Sequence, residues 1–252
     1  MNVLLLQMDI AWGDIQENIR RAESLMNQQT TDIYVLPEMW STGYSVHPED
    51  IAEKEETSAA LGWMRRIAAE RACAICGSLA IKDEQNRFFN RHYFVTPDAV
   101  KLYDKHHLFT YAHEDLNYQA GGEHVVVTYA GLRFLLLTCY DLRFPLWSRY
   151  GLAGEYDAII YVANWPQARQ EAWDTLLRAR AIENQCYVVG VNRVGTERKV
   201  TFTGGSAVID PSGRLLVSCE SRIGACLASL SIDEVREVRR RFPVLNDRDS
   251  IV

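Results

Sequence analysis

Thr138-Cys139-Tyr140-Asp141-Leu142-Arg143-Phe144-Pro145 follows Leu132-Arg133-Phe134-Leu135-Leu136-Leu137, an apolar run without clean alternation that suits a strand buried on both faces. A cysteine therefore stands where a central strand ends. In open α/β sheets, reacting groups gather beyond the carboxyl ends of strands, on loops held by a rigid scaffold. Taken alone, Cys139 reads as a small buried core thiol, as most cysteines do. Its company changes that reading. Glu38 ends the run Asp32-Ile33-Tyr34-Val35-Leu36-Pro37, and Lys105 ends Ala99-Val100-Lys101-Leu102-Tyr103-Asp104, so three chemically capable side chains share one topological position.

Outward from this point the chain alternates strands and helices. Val3 to Asp9 predicts a first strand, and Ile15, Ile19, Ala22, Leu25 and Met26 recur at helical spacing behind Asp14, a suitable cap. Further helices are predicted around Leu61–Ala68, Ala172–Asn184 and Ile232–Arg241. Strands are predicted at Ala72–Ile81, Arg87–Thr96, Val125–Tyr129, Asp157–Val162, Cys186–Val191, Gly205–Ile209, Arg214–Ser218 and Ala225–Leu230. The helices are placed so that both faces of a sheet are covered, which gives an α/β class. A long irregular segment runs from Lys105 through Glu114 to Gly122, and such loops in compact domains tend to be functional.

Nothing in the 252 residues resembles a linker, so one domain over 1–252 is expected. A net charge of -6 argues against a nucleic-acid or membrane surface, and the only basic cluster, Arg239-Arg240-Arg241, closes a helix. Met1 leads into Val3-Leu4-Leu5-Leu6 with neither a basic start nor a small-residue cleavage site, so a strand and not a signal peptide is expected there. On that basis the six cysteines are expected to be reduced thiols in the cytoplasm. Cys73 and Cys76 lie three apart in a strand-like run and should face opposite ways, unsuited to sharing a metal or a disulfide.

A thiol attacks a carbonyl as thiolate, which calls for a neighbouring base or a positive charge that lowers its pKa. Glu38 supplies a base and Lys105 a charge; no histidine is required. The Lys105 ammonium and the backbone N–H of Tyr140 are candidate donors to the oxyanion that develops when an amide is attacked. The carboxyl of Glu38, once protonated, has a proton for departing ammonia and then deprotonates the water that hydrolyses the thioester.

Leu36-Pro37-Glu38-Met39, Tyr103-Asp104-Lys105-His106-His107-Leu108-Phe109 and Cys139-Tyr140-Asp141-Leu142-Arg143-Phe144-Pro145 resemble the three active-site motifs of the carbon–nitrogen hydrolase (nitrilase) superfamily, in the same order. Tyr161-Val162-Ala163-Asn164-Trp165-Pro166, Ala179 to Gln185 and Asn192-Arg193-Val194-Gly195 are similar to its omega-amidase branch, which hydrolyses the terminal amides of alpha-ketoglutaramate and alpha-ketosuccinamate. The resemblance implies a four-layer α-β-β-α sandwich and a Glu/Lys/Cys triad without metal or organic cofactor. It also implies a homodimer, and a second glutamate supporting the lysine at the position of Glu114. Trp40 and Tyr44 stand where many relatives carry phenylalanine, so the exact pocket shape is left open.

Substrate-binding candidates are Arg143, Tyr140, Tyr44 and Trp165. Arg143 either clamps a substrate carboxylate or pairs with Asp141 or another carboxylate as scaffold, and Trp165 is either a packing residue or a substrate wall. His106, His107 and His113 near Glu114 are a poor zinc site, because adjacent histidines rarely aim at one ion and no H-E-x-x-H is present. The rival readings are a non-catalytic binding protein on the same fold, or the same triad acting as carbamoylase, nitrile hydrolase or acyltransferase. A secreted cysteine protease lacks its Cys/His signature.

Overall fold

The computed structural model describes residues 1–249. In chain order the first six strands are β1 (Asn2–Gln7), β2 (Ile33–Val35), β3 (Glu53–Lys54), β4 (Ala74–Lys82), β5 (Phe88–Val95) and β6 (Val100–Asp104). Helices α1 (Ile15–Met26) and α2 (Ala59–Arg71) fall among them. The second half builds β7 (Val126–Tyr129), β8 (Leu132–Thr138), β9 (Ala158–Ala163), α3 (Gln170–Asn184) and β10 (Tyr187–Asn192). It continues with β11 (Val194–Glu197), β12 (Val200–Thr203), β13 (Ala207–Ile209), β14 (Leu215–Ser218), β15 (Gly224–Ser229) and α4 (Ile232–Arg241).

Two sheets result. The first has the order β15-β1-β2-β4-β5-β6 with β3 beside β4, and the second the order β14-β13-β10-β9-β8-β7. At the heart of each, three strands run parallel: β1, β2 and β4 in one, β8, β9 and β10 in the other. These strands are buried on both faces, and the alternation along β1 shows what each face meets. Val3 and Leu5 enter the core between the sheets, whereas Leu4 and Leu6 enter the core beneath α1 and α2. Trp173 and Leu177 of α3 cover the outside of the second sheet, with Leu177 close against Gly190 of β10. The layers are therefore helix, sheet, sheet, helix, the α-β-β-α sandwich that the motif resemblance implies.

Local signals act where expected. Asp14 caps α1 by accepting the N–H of Glu17 at 2.9 Å, which satisfies one of the donors a helix start leaves orphaned. Cys73 belongs to the core under the helices and Cys76 to the core between the sheets, so the two thiols do face opposite ways.

Two expectations are corrected. Not all six cysteines are free thiols: Cys219 and Cys226 form a disulfide, because β14 and β15 bring their Cα atoms to 5.7 Å, within disulfide reach. The other four are free. Residues 194–203, predicted as no regular element, form a hairpin of β11 and β12 outside both large sheets. Its turn is Arg198-Lys199 instead of the Asn-Gly pair that usually signals such a turn.

Candidate active site

Four strand ends converge at the seam between the sheets. Lys105 directly follows β6 and Glu38 lies just beyond β2, both in the first sheet, whereas Cys139 directly follows β8 and Asn164 directly follows β9 in the second. All four line a cavity of about 700 Å³.

The ammonium of Lys105 sits between two carboxylates. Its Nζ donates to Oε1 of Glu38 at 3.0 Å and to Glu114 at 2.9 Å (Oε2) and 3.1 Å (Oε1). All three side chains are buried. Burial alone pulls the Lys105 pKa down, but Glu114 and then Glu38 more than reverse it, and the pKa ends well above the ordinary lysine value. Each carboxylate is also held by a backbone donor. Glu38 Oε2 accepts the N–H of Asn164 at 2.8 Å, and Glu114 Oε2 accepts that of Phe109 at 2.6 Å. Asn90 of β5 bridges the pair, its Nδ2 lying 2.7 Å from Glu38 and 3.3 Å from Glu114. Asn90 carries no motif signature of its own, and only the pairing of β5 with β6 reveals it, whereas Asn164 lies in the motif over 161–166 without a role assigned to it from the sequence.

Cys139 adopts a left-handed backbone, φ 46°, at the point where β8 turns into a tight 3-10 turn over Cys139–Arg143. That conformation costs a residue with a Cβ roughly 1 kcal/mol or more, and such strain concentrates at functional sites. The thiol is half-buried and reached from the cavity. Burial and the neighbouring Glu38 push its pKa well above the ordinary thiol value, and Lys105 opposes them without prevailing. The resting sulfur is therefore a thiol, and the lysine charge that was expected to lower its pKa is outweighed. Removing the carboxylate while keeping the lysine shifts the balance the other way. In a Glu38→Gln variant the Cys139 pKa is expected to fall, seen as thiolate ultraviolet absorbance appearing at lower pH than in the parent, with Cys139→Ala as baseline. An unchanged titration would mean that burial alone sets it.

Asp141 fastens the loop that carries the thiol. Its Oδ2 accepts the Tyr103 hydroxyl at 2.7 Å and the Thr138 N–H at 2.9 Å, while Oδ1 accepts the His107 N–H at 2.9 Å. The loops bearing Cys139 and Lys105 are thus tied through one buried carboxylate. His106 and His107 serve the same junction, stacked on Trp147 at 3.6 Å and on Phe144 at 3.7 Å. Among the described residues no group of side chains is arranged to hold a metal ion.

Asp141 is thereby committed, and the alternative in which it pairs with Arg143 is not met. The Arg143 guanidinium instead lies over the Trp165 ring, 5.0 Å from its centroid, on the cavity wall, and among the described residues it makes no ion pair. Trp165 is packed in place and also lines the cavity. Its Nε1 donates to the Arg169 carbonyl at 2.8 Å, which fixes the ring, while its face meets Arg143. Tyr140 lines the cavity and meets Phe109 edge-on at 5.0 Å. Tyr44 lines it as well, its ring 5.7 Å from the Lys105 ammonium. The hydroxyl of Tyr44 and the side-chain oxygen of Asn164 are buried without a protein partner. Trp40 bears on none of this, for it packs against Trp63 at 5.0 Å outside the cavity.

A carboxylate beside a thiol, with a buried ammonium in reach, is equipment for acyl transfer from an amide, and the comparisons agree. Residues 3–240 match the Carbon-nitrogen hydrolase family, and the chain belongs to it. It is 40% identical to omega-amidase YafV of Escherichia coli (strain K12) over 99% of this chain and 97% of that protein. It is 35% identical to the 2-oxoglutaramate amidase of Bacillus subtilis (strain 168) over 96% and 95%. Among solved structures, XC1258 of Xanthomonas campestris, a CN-hydrolase superfamily protein with an arsenic adduct in the active site, superposes with a TM-score of 0.95 at 38% identity, covering 100% of this chain and 98% of that one. Saccharomyces cerevisiae Nit3, of branch 10 of the nitrilase superfamily, shares the fold at a TM-score of 0.87 and 23% identity, over 97% and 94%. The protein is an enzyme that hydrolyses amides.

Proposed function

We propose that this enzyme is an omega-amidase, releasing ammonia from the terminal amide of short dicarboxylic 2-oxo acids such as alpha-ketoglutaramate through an acyl thioester on Cys139. The observation that carries the substrate class is Arg143, a cation without an ion-pair partner among the described residues, in the same cavity as Cys139. A guanidinium offers a carboxylate a planar fork that lysine does not reproduce. The names of the relatives at 35–40% identity support the same class.

In this mechanism Glu38 takes the proton from Cys139 as the sulfur attacks the amide carbon, which suits a thiol that is neutral at rest. Charge builds on the carbonyl oxygen. The Lys105 ammonium has three hydrogens, and Glu38 and a bifurcated contact to Glu114 use two, leaving one for the oxyanion beside the N–H of Tyr140. The protonated Glu38 gives its proton to the nitrogen, and ammonia leaves. Water then enters, Glu38 deprotonates it, hydroxide attacks the thioester, and the proton returns to the sulfur as the acid departs. The unpartnered oxygens of Tyr44 and Asn164 are suited to the polar atoms of the substrate.

The test compares Arg143→Ala and Arg143→Lys with the parent on alpha-ketoglutaramate and on an uncharged amide of similar length. A loss of about a hundredfold or more in kcat/KM confined to the charged substrate is expected, the scale for leaving the substrate carboxylate without its charged partner. Equal losses on both substrates would make Arg143 scaffold and favour another small amide as substrate.

A further inference from the structure

The β11–β12 hairpin overhangs the cavity, whose wall includes Glu197 through Phe202. Its base is rigid. Arg193, fully buried, donates to the Ile10 carbonyl at 3.1 Å and to Asp9 at 3.2 Å, and also pairs with Glu197. Thr203 on the returning strand donates to Gln170 at 3.0 Å. The tip is unusual: Arg198 and Lys199 both have left-handed backbones, φ 46° and 71°. A two-residue hairpin turn needs that conformation and favours Asn-Gly, so two long basic side chains there cost roughly 1 kcal/mol or more apiece. Local stability is better served by other residues.

What these side chains contribute is charge at the mouth. Five side chains lining the cavity are cationic, namely Lys105, Arg143, Arg169, Arg198 and Lys199, and two are carboxylates, Glu38 and Glu197. Glu197 is engaged by Arg193, and Glu38 with Glu114 offsets Lys105, which leaves Arg143, Arg169, Arg198 and Lys199 as the cavity cations without a carboxylate partner among the described residues. Arg198 lies over Trp12 at 4.5 Å, and Arg169 over Tyr111 at 5.2 Å, so these two cations are seated on aromatic rings. The chain as a whole carries a net charge of -6, so its general field repels anions. A cationic rim reverses that sign locally, over about 8 Å at physiological salt, and such focusing raises the capture rate of an oppositely charged substrate.

We infer that the Arg198-Lys199 turn, with Arg169 also on the cavity wall, is an entry device that selects anionic amides before they reach Arg143. This rests on the omega-amidase reading and extends it to a second, long-range determinant of specificity.

The test is the double variant Arg198→Asn/Lys199→Gly, which gives the turn the residues its backbone favours and removes both charges. Steady-state kinetics with alpha-ketoglutaramate and with an uncharged aliphatic amide are recorded at increasing salt. In the parent, kcat/KM for the anion should fall with salt while that for the neutral amide stays flat. The variant should show KM for the anion raised about threefold to tenfold, an unchanged kcat, a flattened salt dependence and unaltered kinetics on the neutral amide. A variant that keeps the parent's KM and salt dependence, or loses equally on both amides, overturns the entry device while leaving the omega-amidase reading intact. A parent with no preference for the anion overturns that reading, and the entry device with it.

Discussion

Replacing Cys139 with alanine is expected to abolish ammonia release from every amide the parent accepts, with the fold retained. In the proposed mechanism the sulfur attacks with Glu38 as its base, whereas the Lys105 ammonium, held protonated by Glu38 and Glu114, has no free electron pair with which to attack. Stability should change little. The thiol is half-buried on the cavity wall, so its removal opens no sealed void, and alanine keeps the Cβ that the left-handed backbone already accommodates. Ammonia release and thermal unfolding of the purified variant check both halves. In the parent, mass spectrometry during turnover should find the acyl group on Cys139. Turnover by the pure alanine variant, or acyl groups trapped on Lys105 instead, would remove the thioester from the mechanism.

The second large effect is expected at Lys105, where one substitution should act on both rate and stability. Lys105→Met removes the donor proposed for the oxyanion, which should lower kcat by about a hundredfold or more. It also leaves Glu38 and Glu114 facing each other, buried and without their cation, and breaking a buried pair in this way costs about 3–5 kcal/mol. The two consequences separate in the double variant Lys105→Met/Glu114→Gln. Deleting one of the orphaned charges should restore much of the lost stability in a denaturant titration but none of the rate. If the rate returns along with the stability, Lys105 is scaffold for the loop and not a donor to the reaction. Glu114 positions the ammonium without reaching substrate, so Glu114→Gln alone should lower kcat more than it raises KM, and full activity would count against that role.

The hydrophobic pattern makes most of the sandwich legible. The apolar runs that form β8, β9 and β10 lack alternation because parallel strands between two layers are buried on both faces. The helical spacing behind Asp14 identifies α1 for the converse reason, since that helix has a single apolar face to bury. The candidate site is legible to the same depth. Glu38, Lys105 and Cys139 each come after a recognisable strand, so their positions are readable one at a time, and the motifs supply their order.

Local rules thus determine the strand and the residue at its end, whereas only the tertiary structure decides which strand ends meet. Asn90 lies within a strand, unmarked, and becomes the bridge between two carboxylates because β5 runs beside β6 and its neighbour Lys105. Asp141 is a plausible partner for its near neighbour Arg143, yet packing delivers Tyr103 and His107 from the other sheet and satisfies it first, which leaves the arginine available to a ligand. The thiol's pKa departs from expectation for the same reason. A lysine charge is visible in the sequence, but burial and the nearby carboxylate are properties of the folded seam, and together they outweigh it. The hairpin over the cavity escapes prediction because its turn contradicts the local preference. Backbone propensity is a short-range signal, and a turn kept against it becomes intelligible only beside the cavity it overhangs.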